Sequence, residues 1–231
     1  MAPKSWTVAQ QVGSWCDAWN RHHPWDHNAH HHRWILRRLP PRIDRALDVG
    51  CGTGELARRL SERAGHVDGV DLDRASIDTA RRLTGPACAV DFTCGDVLTL
   101  HLQPGYQVIT ALAALHHMPF EPALQRLRNL LAPGGTLLVL GLYREQTPTD
   151  RLLSAAAVPA NLAMGAVKAP RRRAGGPVPR PVSMTAPTAA ATMTLGQIRD
   201  AAARQTPGAV IRRHLFWRYS LVYRDPQPGP G

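Results

Sequence analysis

Lysine is almost missing from this 231-residue chain: only Lys4 and Lys168 stand among 28 basic residues, the other 26 being arginine. Acidic residues number 17, which leaves a formal net charge of +11. Such a balance raises the question of a phosphate-bearing partner, since a basic face is the electrostatic footprint of nucleic-acid binding. Arginine without lysine, alongside abundant Ala, Pro and Gly, reads instead as the codon bias of a GC-rich genome. The arginines are also dispersed along helical patterns, as at Arg58, Arg59, Arg81 and Arg82, where a solvated face explains them. The one run, Arg171 to Arg173, lies in a segment rich in Pro and Gly, and nucleic acid is not the expected partner.

Cysteine is scarce too. Residues 16, 51, 88 and 94 form no CxxC and no paired framework, which argues against a disulfide scaffold or a zinc ribbon. Long apolar runs are lacking: the longest weakly polar stretch, Leu152 to Val167, is broken by Pro159, Asn161 and Gly165 and falls short of the roughly 20 residues that span a bilayer. Lys4 is followed by no apolar core of a secretory signal. The expectation is a cytoplasmic protein in a reducing compartment, with no membrane partner.

What is present is one strong local signal. In ALDVGCGTG, Ala46 to Gly54, the apolar residues Leu47 and Val49 form a short strand that breaks into a glycine-rich turn. Gly50, Gly52 and Gly54 let the backbone bend sharply and approach a ligand without Cβ interference. Leu56, Leu60 and Ala64 then repeat with helical spacing. A dinucleotide fingerprint GxGxxG needs its third glycine at position 55, where Glu55 stands, so the pattern is GxGxG and an NAD enzyme is the least favoured reading. Strand patterns alternate with helical ones through residue 142, which implies βαβ units in a mostly parallel sheet.

These residues resemble motif I of the class I S-adenosylmethionine-dependent methyltransferases of small-molecule type, with Asp48 in the acidic slot. The later landmarks follow in that family's order. His66 to Val70 ends in Asp71, which the resemblance makes the ligand of the cofactor ribose, followed by Leu72. Val90 to Cys94 ends in Gly95 and Asp96, which meets the adenine amino group while Val97 offers its backbone N–H. Tyr106 to Leu115 leads to His116 and His117. Leu124 to Leu131, the turn at Ala132 to Gly135 and a strand from Thr136 to Leu142 match the helix, turn and fifth strand. The resemblance implies S-adenosyl-L-methionine as cofactor, bound by Asp48, Gly50, Cys51, Gly52, Gly54, Asp71, Leu72, Asp96 and Val97. It also implies an α/β, Rossmann-like fold: seven strands, mostly parallel, helices on both faces and an antiparallel last strand. Leu195 to Ala203 is the expected final helix, and 209–216 and 217–224 the closing antiparallel strands. Asp73 is expected to cap the helix Arg74 to Leu83, leaving the ribose to Asp71.

Two segments lie outside this frame. Residues 1–38 are read as a helical cap rich in His and Trp, with His22, His23, His27, His30, His31 and His32 among Trp19, Trp25 and Trp34. His27 and His31 stand one helical turn apart, but no Cys or second acidic ligand follows at a recognisable spacing, so no metal is expected. Within the methyltransferase domain, 39–231, residues 144–193 are read as a lid or flexible insertion.

Methyl transfer from a sulfonium needs alignment more than acid–base chemistry. A hydroxyl acceptor nevertheless profits from a base with a pKa near neutrality, and His116 and His117 are the candidates, with Tyr143 as a further pocket residue. The chain has Ala113, Ala114, Leu115 and His116 where base and amide methyltransferases of this class carry an Asn/Asp-Pro-Pro-Tyr type motif. The expected acceptor is therefore a small molecule with an O or N nucleophile, in bacterial secondary metabolism. An RNA-modifying methyltransferase and a non-catalytic S-adenosylmethionine-binding module are the alternatives.

Overall fold

The computed structural model describes residues 27–168, 191–214 and 218–226. A helix, α1 (His27–Leu36), precedes β1 (Ile43–Val49), α2 (Glu55–Ser61), β2 (Ala64–Asp71), α3 (Arg74–Leu83) and β3 (Val90–Cys94). Then follow β4 (Tyr106–Leu112), a single 3₁₀ turn (Leu115–His117), α4 (Phe120–Leu130), β5 (Leu131–Leu142), α5 (Pro148–Lys168), α6 (Leu195–Gln205), β6 (Val210–His214) and β7 (Arg218–Arg224). No helix among the described residues is long and apolar enough to cross a membrane.

The seven strands form one sheet in the order β3-β2-β1-β4-β5-β7-β6. The first five in sequence pair in parallel, whereas β7 runs antiparallel to both its neighbours, β5 and β6. Strand β1 sits inside the sheet, so Ala46 to Val49 are buried on both faces, the expected state of a parallel strand covered by helices. Leu47 and Val49 join the layer formed with α4 and α6, through Leu124, Leu127, Ile198 and Ala202. Ala46 joins the opposite layer, with Ile35 and Leu39, Leu56 and Leu60, and Ile77 and Ala80.

The chain leaves β1 for β2 and β3 on one side and returns to β4 on the other, so the order reverses between β1 and β4. In open α/β sheets the crevice at such a reversal is where ligands bind. Its rim is made by the carboxyl ends of neighbouring strands, with Val49 beside Val70 and Ala111, and Asp71 beside Cys94.

The element limits differ from expectation where backbone geometry intervenes. Strand β4 stops at Leu112 rather than 115 because Ala113 takes a left-handed conformation, φ 54°, and turns the chain into the 3₁₀ turn. Helix α4 begins four residues earlier, at Phe120, and buries Phe120, Ala123, Leu124, Leu127 and Leu130 along one face. Asp73 caps α3 as expected, accepting from the backbone N–H groups of Ala75 and Ser76.

In the insertion, α5 opens with Thr147 and Asp150 exchanging bonds: Asp150 N donates to the Thr147 hydroxyl and Thr147 N donates to the Asp150 carboxylate at 2.7 Å. That is a capping box, with Pro148 at the first helical position. The two roots of the insertion are joined, Arg144 N donating to Met193 O at 2.7 Å. The Arg171 to Arg173 run, Trp19, Trp25, His22 and His23 lie outside the described residues.

Candidate active site

A cavity of about 420 Å³ opens along the carboxyl edge of the sheet. It falls in the ordinary size range of small-molecule sites. The turn after β1 forms its floor. Gly50, Gly52 and Gly54 all have positive φ, 66°, 52° and 79°. Gly50 N and Cys51 N donate to Val70 O at 2.8 and 3.1 Å, which fixes the turn against β2. The three glycines differ in what a side chain would meet. At Gly50 a Cβ would run into the Cβ of Ala114, and at Gly54 it would come within 2.5 Å of the Phe92 ring, whereas at Gly52 nothing lies within 4 Å. Gly52 therefore presents bare backbone to open space at the cavity wall.

Asp48, one residue before the end of β1, is buried to 1% exposure. The Thr110 hydroxyl donates to its Oδ1 at 2.7 Å. Its Oδ2 has no hydrogen-bond partner among the described residues, although Asp48 lines the cavity. Burial raises its pKa to about 7, against the Thr110 hydrogen bond. An orphaned carboxylate oxygen of this kind fits a cationic or N–H-bearing ligand group.

At the end of β2, Asp71 accepts from Gly52 N through Oδ2 at 2.8 Å and from Asp73 N through Oδ1 at 2.9 Å. The carboxylate thus braces the glycine turn while facing the cavity, with acceptor capacity left on both oxygens. Leu72 beside it is 62% exposed and borders the cavity. Past β3, Asp96 Oδ1 accepts from Leu98 N at 2.9 Å, and Asp96 and the buried Val97 close that end. Cys51 belongs to the turn, but its side chain packs into the core near Gly69 and Phe92. Burial, then the charges of Asp48 and Asp71, push its thiol well above the usual range, so it stays neutral.

His116 and His117 line the same cavity, with ring centroids 4.1 Å apart. Tyr143 is buried at the end of β5 and is not among the residues lining the cavity; its ring faces the Arg213 guanidinium at 5.8 Å. The pocket role expected of Tyr143 does not hold, because the residue after the strand end turns into the core layer. Leu142 holds the corresponding place in the wall.

His32 and Arg218 also enter the wall. His32, 3% exposed, comes from α1, and its Nδ1 lies 3.6 Å from Glu55 Oε1. The nearby His32 imidazole leads the causes that hold the Glu55 carboxyl below its usual range. Arg218, the first residue of β7, also lines the cavity. His32 belongs to the His-rich cap that the sequence marks as a segment, whereas nothing in the sequence neighbourhood of Arg218 marks it for the site, because it arrives from an element distant in the chain.

The chemistry of the wall is matched to a nucleoside bearing a cationic amino acid. It offers the carboxylates of Asp48, Asp71 and Asp96 beside those of Glu55 and Asp73, with one Asp48 oxygen orphaned, and a glycine that leaves its backbone bare. Comparison with known proteins agrees. Residues 46–135 match the model of the methyltransferase domain family. An uncharacterised methyltransferase of Mycobacterium tuberculosis is 30% identical over 205 residues, covering 88% of this chain and 98% of the relative. A ubiquinone biosynthesis O-methyltransferase of Marinobacter nauticus is 35% identical over 108 residues, 43% of this chain and 44% of that one. Among solved structures, an S-adenosylmethionine-dependent methyltransferase of Mesorhizobium loti shares the fold at a TM-score of 0.56 and 20% identity, with 84% of this chain and 97% of that one covered. The chain belongs to the class I S-adenosylmethionine-dependent methyltransferases, enzymes that take S-adenosyl-L-methionine as cofactor.

Proposed function

We propose that this methyltransferase alkylates an oxygen or nitrogen nucleophile of a small molecule. The observation that carries the reading is the continuity of one cavity, lined at one end by Asp71 and Asp96 and further along by His116, His117 and Met118. In this reading Asp71 holds the ribose hydroxyls, Asp96 and the Val97 backbone hold the adenine, and Leu72 covers its face. Asp48 and the bare backbone at Gly52 hold the amino-acid end.

When bound, the cofactor supplies a methyl group already activated by its sulfonium. The protein's own work is to align the acceptor, exclude water and move one proton. His116 or His117 accepts that proton from a hydroxyl acceptor. The partial relative from Marinobacter, by its name an O-methyltransferase, lends the oxygen nucleophile support.

The test is turnover with radiolabelled S-adenosylmethionine across a small-acceptor panel, beside calorimetric binding of S-adenosylhomocysteine. His116→Ala and His117→Ala are expected to keep product-cofactor affinity near wild type, and one of them to lower turnover. Unchanged turnover in both on a verified acceptor removes the base.

A further inference from the structure

The N–H groups of the glycine turn are largely committed within the protein. Gly50 N and Cys51 N both donate to Val70 O, Gly52 N donates to Asp71 Oδ2, and Gly54 N donates to Cys51 O. The side chains around the turn add charge of one sign, since Asp48, Glu55 and Asp71 all line the cavity there. An amino-acid group brought to this place has two charged ends. Its ammonium finds Asp48, whose Oδ2 is orphaned, but its carboxylate meets spent N–H groups and side chains that only accept. His32 lines the cavity beside the same turn, its Nδ1 3.6 Å from Glu55 Oε1. Burial leads the causes that raise the Asp48 pKa, and His32 is among the groups that oppose it.

His32 is 3% exposed, and its Nδ1 is buried without a hydrogen-bond partner. Glu55 Oε1 stands beyond hydrogen-bond distance, so the ring is not committed to it. A buried imidazole in that condition carries a cost that a ligand group can relieve. The helix that presents it is held from two sides. Ile35, one turn on from His32, packs with Leu56 and Leu60 of α2, and Arg63 Nη1 donates to Leu36 O at 2.7 Å. On the other side the Trp34 ring meets the His214 ring of β6 edge-on, with centroids 5.8 Å apart. We propose that His32 is a cofactor-recognition residue, whose imidazole donates to the carboxylate of the cofactor's amino-acid group while Asp48 takes the ammonium. In its protonated form the ring is a donor at both nitrogens, so it serves the ligand carboxylate while Glu55 stays beside Nδ1. The inference rests on the reading that puts the amino-acid end at the glycine turn. It makes α1 part of the cofactor site and gives the protein a means of refusing adenine nucleosides that lack the carboxylate.

The experiment titrates the full chain calorimetrically with S-adenosylhomocysteine and with its decarboxylated analogue, which keeps the adenine, the ribose and the ammonium. Wild type is expected to prefer S-adenosylhomocysteine by about tenfold or more, the factor of one hydrogen bond to a charged group. His32→Leu, which fills the space with no donor, should erase that preference while leaving the analogue's affinity within about twofold. His32→Gln, which keeps an N–H and loses the charge, should retain part of it. The ratio of the two affinities is read within each variant, so a variant with a smaller folded fraction still reports it. Equal binding of the two ligands by wild type, or a preference that survives His32→Leu, overturns the proposal. An equal loss for both ligands in His32→Leu overturns it as well, because it makes the residue a support of α1 alone. Asp48→Asn tells the two readings apart, since both ligands keep the ammonium and both should weaken alike. If Asp48→Asn weakens neither, the placing of the amino-acid end fails together with the proposal; if it weakens both while His32→Leu leaves the preference intact, only the role of His32 fails.

Discussion

A carboxylate buried without a full set of partners is unstable in its charged form, and Asp48 carries that tension at the centre of the site. Its pKa of about 7 in the folded chain is raised by burial, from about 3.9 in the unfolded one. Between pH 4 and 7 the native state therefore holds a proton that the unfolded state has lost, and stability falls as pH rises through that window. Asp48→Asn is expected to flatten this part of the profile, measured as the difference between variant and wild type in urea unfolding from pH 4.5 to 7.5. A cationic ligand group at Oδ2 favours the ionised form, so cofactor affinity should rise with pH over the same range in wild type and not in the variant. The glycines supply a second contrast at this scale. Alanine at either Gly52 or Gly54 pays about 1 kcal/mol or more for positive φ, but only at Gly54 does its Cβ also strike the Phe92 ring. Gly54→Ala should lower the melting temperature by several degrees more than Gly52→Ala, whereas Gly52→Ala should lose S-adenosylhomocysteine affinity with a smaller loss of stability. Asp71→Ala removes a charged acceptor worth about 1.5 to 3 kcal/mol, and calorimetry should register a loss of ten- to hundredfold in affinity. The glycines and acidic residues at strand ends are visible in sequence because a strand, a sharp turn and a helix start are all local events.

At the scale of elements, the insertion is tied down by a buried ion pair. Arg213 on β6 meets Asp150 Oδ1 at 3.0 Å, with the Asp150 side chain 3% exposed. Burial opposes ionisation of Asp150, yet the N–H groups of Thr147 and Gln146, the Thr147 hydroxyl and Arg213 outweigh it and bring its pKa to about 2. A depressed carboxyl pKa contributes stability that is complete above about pH 4 and is lost as pH falls toward 2. Asp150→Ala removes the cap of α5 and strands the Arg213 charge, a change expected to cost about 3 kcal/mol. Denaturant unfolding measures that loss, and proteolysis across 144–193 should accelerate with it. The capping residues were legible in part: Asp73 before α3 is a local motif, and the structure bears it out. Asp150 and Arg213 were not, since their pairing joins α5 to β6 across more than sixty residues of sequence. Tyr143 shows the converse. A tyrosine at a strand end looks like a pocket residue, but whether it faces the crevice or the core layer depends on the twist of the sheet and on what packs there.

For the molecule as a whole, ligand linkage offers the broadest check. A ligand of the folded state present at a hundredfold its dissociation constant adds about 2.7 kcal/mol, which moves the melting midpoint of a domain of this size by roughly 5 to 10 °C. S-adenosylhomocysteine is expected to produce such a saturable shift, and NAD none. The net charge of +11 bears on the same scale. If it served RNA, binding to a transfer RNA would weaken steeply with salt; the small-molecule reading expects only weak binding without such discrimination.

The order of strands and helices, the glycine turn and the carboxylates at the ends of β1, β2 and β3 were determined by the sequence, because each depends on residues within a few positions of one another. The placing of β7 between β5 and β6 conforms to the antiparallel close expected of the sheet, yet its consequence for the site was hidden. Only the tertiary structure decided that Arg218 and His32, from opposite ends of the chain, meet Asp48 and His116 around one cavity. Side chains separated by well over a hundred residues become neighbours through the sheet, and no local spacing records which of them it will bring together.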